Sequence, residues 1–116
     1  DRKDDMIISG GFNIWPAELE NVISSLEGVR EVAVVAEPHP RWGEVPVAVV
    51  VTLPGKSPSE EDIISACKVQ LGSYKRPGRV ILQEDPLPRT PVGKIQRKAV
   101  RELFWDQDTN IHISGA

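Results

Sequence analysis

The sequence contains a single cysteine, Cys67, in 116 residues. One thiol can build neither an intrachain disulfide framework nor a cysteine-based zinc site, and a reducing compartment fits that usage. Histidine is nearly as scarce: His39 and His112 have no ligand-like spacing to other donors, so no metal site is expected. No apolar run approaches the ~20 residues that a membrane helix needs. The longest, Val45 to Leu53, contains Pro46 and Thr52 and has the length of a strand. No charged-then-apolar leader opens the chain, and a cytoplasmic setting without a membrane span is expected. There is no internal repeat and no low-complexity segment. No Gly-x4-Gly-Lys-Ser/Thr loop is present, which excludes an independent P-loop NTPase. The formal net charge of −3 argues against a nucleic-acid coat or a polybasic membrane anchor.

What is present suits one small globular domain. Apolar residues make up 40% and charged residues 27%, unlike a disordered tail. Nine glycines and ten prolines predict many turns and short elements. Met6-Ile7-Ile8 reads as a short strand closed by Ser9-Gly10-Gly11. Pro16 stands where a helix would begin, with Glu18 and Glu20 near the positive end of its dipole. Leu19, Val22, Ile23 and Leu26 then form one apolar helical face, and Gly28 is a stop. Val29 to Ala36 reads as a buried strand broken by Glu37-Pro38-His39-Pro40. Val45 to Leu53 is a second strand, turned by Pro54-Gly55. Ser59-Glu60-Glu61-Asp62 has the form of a capping box, with Asp where the longer Glu is usual. Ile63, Cys67 and Leu71 line one stripe of the helix that follows, which ends at Gly72. Val80 to Leu82 is a third strand, Pro86 to Gly93 a loop, and Ile95 to Phe104 a helix bearing Ala99, Val100, Leu103 and Phe104 on one side. The order β-α-β-β-α-β-α predicts an α+β fold, a small sheet with helices packed on it.

Two segments combine glycine, basic residues and a loop: Asp1 to Ile14, and Pro88 to Lys98. Gly93 beside Lys94 places an ammonium where a flexible backbone can bring it to a ligand oxygen, where it would offset developing negative charge. On the residues alone the signal is weak, since most Gly-Lys pairs are surface turns. The basic set Arg89, Lys94, Arg97, Lys98 and Arg101 has no acid within it and reads as a solvated helix face. As a nucleic-acid patch it lacks interleaved aromatics.

Four ordered motifs narrow these readings. They are Arg2-Lys3-Asp4-Asp5-Met6-Ile7-Ile8-Ser9-Gly10-Gly11-x-Asn-Ile-x-Pro-x-Glu, Arg41-Trp42-Gly43-Glu44, Tyr74-Lys75-Arg76-Pro77, and Pro88-Arg89-Thr90-Pro91-x-Gly-Lys-Ile-x-Arg. Together, from Asp1 to about Glu102, the chain resembles the C-terminal domain of acyl- and aryl-CoA synthetases, within the superfamily of adenylate-forming enzymes. The resemblance implies a mobile C-terminal lid domain over residues 1–105, with a hinge at 1–5 and a flexible tail at 106–116. It implies a two-step ligase that uses ATP and CoA as substrates to activate a small-molecule carboxylic acid. Mg2+ would be expected in the full-length enzyme but not on this domain. Lys94 matches the lysine of the adenylation step and an ATP/AMP contact, Arg2 the arginine near the ribose hydroxyls of ATP, and Asp4 the hinge. Ser9, Gly10 and Gly11 match the strand whose bare backbone lines the CoA pantetheine tunnel, as a thin substrate arm requires. Trp42, Tyr74 and Arg76 match positions that contact the CoA nucleotide in some relatives.

The sequence departs from that pattern at Phe12, where many relatives carry Glu or a small polar residue, and at Arg89, where Lys is more usual. The first change is expected to alter the tunnel wall or the domain contact. Trp42 also reads as a cap on the sheet edge, Arg76 as a solvated turn residue, Asp4 as a surface acid and Cys67 as core. The chain opens without Met and leads straight into an apolar stretch, so a piece of a longer protein is expected. Its natural partner would be an N-terminal domain holding the phosphate loop and acyl pocket, without which the chain should be inactive. The competing expectations are a non-catalytic CoA- or partner-binding module with the same fold, and a small RNA-binding domain.

Overall fold

The computed structural model describes residues 6–102. The expectations placed on Arg2, Asp4, Leu103, Phe104, His112 and the 106–116 tail lie outside the described residues. Five strands form one sheet: β1 (Ile7–Ser9), β2 (Phe12–Ile14), β3 (Val29–His39), β4 (Gly43–Thr52) and β5 (Arg79–Gln83). Helices α1 (Pro16–Ser24) and α2 (Glu60–Leu71) interrupt them, and residues 97–102 are helical.

Strand β4 is the centre. It pairs antiparallel with β3 along its length. On its other edge it meets β1 at Gly43, then runs parallel to β5 from Val47 to Val51. A parallel neighbour needs a crossover, and α2 supplies it. Both faces of the β3–β4 pair are covered, which explains a run of valines in place of strict alternation. On one face Val32, Val34, Ala48 and Val50 pack with Leu19 and Ile23 of α1 and Ile63 and Cys67 of α2. On the other, Val35, Val47, Val49 and Val51 pack with Leu87 and Val100. The architecture is the expected α+β sheet with helices packed on it.

Local sequence accounts for most boundaries. Pro16 occupies the first turn of α1, and Trp15 precedes it with no side-chain cap. At α2 the box closes despite the shorter Asp: Asp62 N donates to Ser59 Oγ at 3.0 Å, and Ser59 N to Asp62 Oδ2 at 3.3 Å. Three expectations need correction. The stretch after Gly10-Gly11 is itself a strand, β2, so the chain opens with a hairpin. The Glu37–His39 segment does not break β3, which continues to His39. Pro38 is tolerated there because β3 is an edge strand. The last helix begins at 97, since Ile95 bridges to Arg89 in extended conformation. Pro46 lies within the central strand because its carbonyl accepts from Gly78 N at 2.8 Å. Its missing N–H faces the same edge, in the interval between the β1 and β5 pairings.

Cys67 is fully buried, and burial pushes its thiol up from the ordinary 9.0 to about 11. The folded state therefore holds a proton that the unfolded chain releases. The thiol's contribution to stability is complete below pH 9.0 and falls as pH rises from there towards about 11. Alkylation of Cys67 at pH 8 is expected to proceed only at the rate of unfolding. Labelling as fast as that of an unfolded control would contradict its place in the core. Among the described residues no helix is long and apolar enough to cross a membrane.

Candidate functional site

The matched residues fall into two groups at opposite ends of β3. The first is built around the β1–β2 hairpin. Ser9 pairs with Phe12 across it and with Gly43 of β4. Gly10 carries φ +57, and its N–H donates to Trp42 O at 2.9 Å. A Cβ on Gly10 would lie 3.0 Å from the Trp42 ring, so both the backbone sign and the contact favour glycine. Trp42 is held on a preformed turn, because His39 Nδ1 accepts from the N–H groups of Arg41 and Trp42, each at 3.1 Å. The Arg41 guanidinium lies 4.7 Å from the Trp42 ring centroid. Glu44, which closes the Arg41-Trp42-Gly43-Glu44 motif, accepts from Ile8 N at 3.1 Å and ties β1 to β4. This motif thus fixes the hairpin as well as displaying Trp42.

Phe12 extends the group to the turn after α2. Its ring stacks on Tyr74 at 4.4 Å between centroids. Lys75 next to it pairs with Glu18 of α1 at 2.8 Å, and that hydrogen bond raises the lysine above its ordinary value. Arg76 is exposed on the same turn. Phe12, Trp42 and Tyr74 are each about half exposed, enough apolar ring to meet a ligand or a second domain. The structure therefore brings Ser9, Gly10, Gly11 and Trp42 together, and reaches Tyr74 through Phe12, whose partner the sequence alone did not reveal.

The second group is the Lys94 loop, an antiparallel turn seated against β3. Thr90 N donates to Lys94 O at 2.7 Å, Gly93 N to Thr90 O at 2.8 Å, and Lys94 N to Thr90 Oγ1 at 3.2 Å. Gln96 N closes the base on Pro88 O at 2.9 Å. Gly93 has φ +90 with open space where a Cβ would point, so glycine serves the backbone sign there. Lys94 is exposed at the tip, and among the described residues no carboxylate pairs with its ammonium. A cavity of about 370 Å³ opens beside it, with Arg89, Ile95 and Arg97 on one side and Glu20 and Val32 behind.

The basic set around Lys94 is not one solvated face. Arg89 pairs with Glu31 of β3, and Arg97 with Glu20 of α1. Those acids lie 58 and 77 residues away in sequence, so inspection of the local segment could not find them. Val32 shares the Lys94 cavity, and Trp42 follows His39 at the far end of β3. Seven residues of strand separate these points by roughly 23 Å. Among the described residues no three His, Cys, Asp or Glu side chains converge as a metal site.

Comparison with known proteins identifies the family. Residues 18–94 match the AMP-binding enzyme C-terminal domain, and the chain belongs to that family. It is 46% identical over 104 residues to the long-chain-fatty-acid–CoA ligase FadD13 of Mycobacterium tuberculosis, covering 90% of this chain and 20% of that one. It is 45% identical over 102 residues to the 2-succinylbenzoate–CoA ligase of Listeria monocytogenes, covering 88% of this chain and 21% of that one. Among solved structures, a Mycobacterium tuberculosis fatty acyl CoA synthetase superposes with a TM-score of 0.83 at 46% identity, over 90% of this chain and 20% of that one. The chain thus spans about a fifth of the length of the relatives it matches.

Proposed function

We propose that the chain is the mobile C-terminal domain of an ATP-dependent, AMP-forming acyl-CoA ligase. In the first half-reaction a substrate carboxylate attacks the α-phosphorus of ATP, giving an acyl adenylate and releasing pyrophosphate. In the second, the CoA thiol attacks the adenylate carbonyl, giving a thioester and releasing AMP. Lys94 serves the first: its ammonium bridges the carboxylate and an adenylate oxygen, holding the reactants together and offsetting charge. Arg2 meets the ATP ribose. Asp4 is the hinge on which the domain turns, after which Ser9, Gly10 and Gly11 form the wall of the CoA tunnel. Trp42, Tyr74 and Arg76 then receive the CoA nucleotide by stacking and charge.

The observation that carries this reading is the separation of the two groups. Val32, beside the Lys94 cavity, and His39, before the Trp42 turn, lie roughly 23 Å apart along one strand, so the two groups meet a second domain from different ends. A domain that serves both half-reactions must therefore present first one end and then the other. The relatives named above act on acids as different as a long-chain fatty acid and 2-succinylbenzoate. The choice of acid is accordingly assigned to the N-terminal domain, which also holds the ATP phosphates and the Mg2+ that accompanies them, in the cytoplasm.

Incubated with ATP and a panel of carboxylic acids, the full-length enzyme is expected to release pyrophosphate and, with CoA, to consume thiol. The 116-residue chain is expected to do neither. Sustained pyrophosphate release by the chain alone would overturn the proposal.

A further inference from the structure

The Lys94 loop is hydrogen-bonded within itself, and two acids from outside the motif engage the arginines on either side of Lys94. Glu31 of β3 has a nearly buried side chain, 8% exposed, which accepts from Leu87 N at 3.0 Å and pairs with Arg89. Arg89 in turn donates through Nη1 to Gly93 O at 2.7 Å, the carbonyl immediately before Lys94. On the other side Glu20 of α1 accepts from Val34 N at 2.9 Å, covering an amide of the edge strand. The same carboxylate accepts from Arg97 Nε at 2.9 Å, at the start of the last helix. Glu31–Arg89 and Glu20–Arg97 therefore grip the loop before and after Lys94 and bind both ends to the β3 edge. Charge-assisted, partly buried pairs of this kind fix position more firmly than neutral contacts.

We infer that Glu20 and Glu31 are positioning residues for adenylation, acting through Arg97 and Arg89 to present the Lys94 ammonium. The inference rests on the role proposed for Lys94 and extends it to two acids that touch no substrate. Either carboxylate could be lost without disturbing the tunnel-wall hairpin at the other end of β3, so the effect is confined to one half-reaction. It falls on kcat more than on KM, because the lysine's contact strengthens as charge develops.

The test uses Glu31→Gln and Glu20→Gln in the full-length enzyme, which keep an acceptor for Leu87 and Val34 while removing the ion pair. Lys94→Ala serves as the reference. Three quantities are read: kcat and KM of pyrophosphate release, thioester formation from pre-made acyl adenylate and CoA, and hydrogen exchange at the Thr90, Gly93 and Lys94 amides. The expected result is amide exchange about 10-fold faster. Adenylation kcat falls about 10- to 100-fold, as for a misplaced catalytic group, and the thioester step stays within about 2-fold. Unchanged exchange in both variants would overturn the clamp whatever the role of Lys94. Faster exchange with normal adenylation, where Lys94→Ala abolishes it, would overturn the positioning role alone. Normal adenylation in Lys94→Ala would remove the reading beneath it. Equal loss in both half-reactions would mark the acids as general scaffold and contradict the inference.

Discussion

Lys94→Ala in the full-length enzyme is expected to lower adenylation about 10²- to 10³-fold, the usual cost of removing a charge contact aimed at the transition state. Thioester formation from a supplied acyl adenylate should change little. The asymmetry follows from geometry. Lys94 is displayed at the tip of a loop hydrogen-bonded within itself, its ammonium free of any carboxylate among the described residues. An unpaired exposed ammonium does little for stability, so its loss leaves the fold intact. Its neighbours Arg89 and Arg97 are already engaged by Glu31 and Glu20. Lys94→Arg separates charge from shape: a planar fork on a different stem offers the same charge in the wrong place, and most of the activity should remain lost. Stopped-flow pyrophosphate release and a thiol-consumption assay read the two steps. Equal loss in both would show that Lys94 has no special place in the first.

Gly28→Ala is expected to destabilise the domain by about 2–4 kcal/mol, combining the left-handed backbone penalty with overpacking. Gly28 stands between α1 and β3 at φ +92, and a Cβ there would lie 2.4 Å from the Lys56 carbonyl oxygen. That oxygen belongs to the 53–56 turn, pinned by a hydrogen bond from Leu53 N to Gly28 O at 2.9 Å, so it cannot yield without disturbing the end of β4. Against a typical total of about 5–15 kcal/mol the loss is large, and it should lower the melting temperature by about 10 °C or more. Gly11→Ala is the control: φ is +86, but no atom lies within 4 Å of its Cβ. It carries the backbone penalty of about 1–2 kcal/mol without the collision. Equal melting temperatures for the two variants would contradict the packing described at Gly28.

Much of the fold could be read from short-range pattern. Pro16 with Leu19, Val22 and Ile23 marks α1. Ser59 with Asp62 marks the start of α2, and the valine runs mark β3 and β4. These signals are local because helix capping and burial periodicity act within a few residues. Strand β2 was hidden because Phe12-Asn13-Ile14 is too short to show alternation, and its pairing is supplied by β1 across the Gly10-Gly11 turn. The extension of β3 through Pro38 depends on being at a sheet edge, which no local window reveals. The site divides the same way. Gly10 and Lys94 stand in motifs that can be read directly. The ring stacked on Tyr74 and the acids that engage Arg89 and Arg97 arrive from distant segments through the fold.

That one domain presents two ends in turn is tested most directly by the accessibility of Lys94 in each half-reaction. An amine-reactive probe, applied briefly to the full-length enzyme and read by mass spectrometry at Lys94, reports burial against the N-terminal domain. With ATP and a carboxylic acid analogue that cannot react, Lys94 should be protected. With a non-hydrolysable acyl-adenylate analogue and CoA, it should label as freely as in the isolated chain. Equal protection of Lys94 in the two states, or protection in neither, would contradict the alternation.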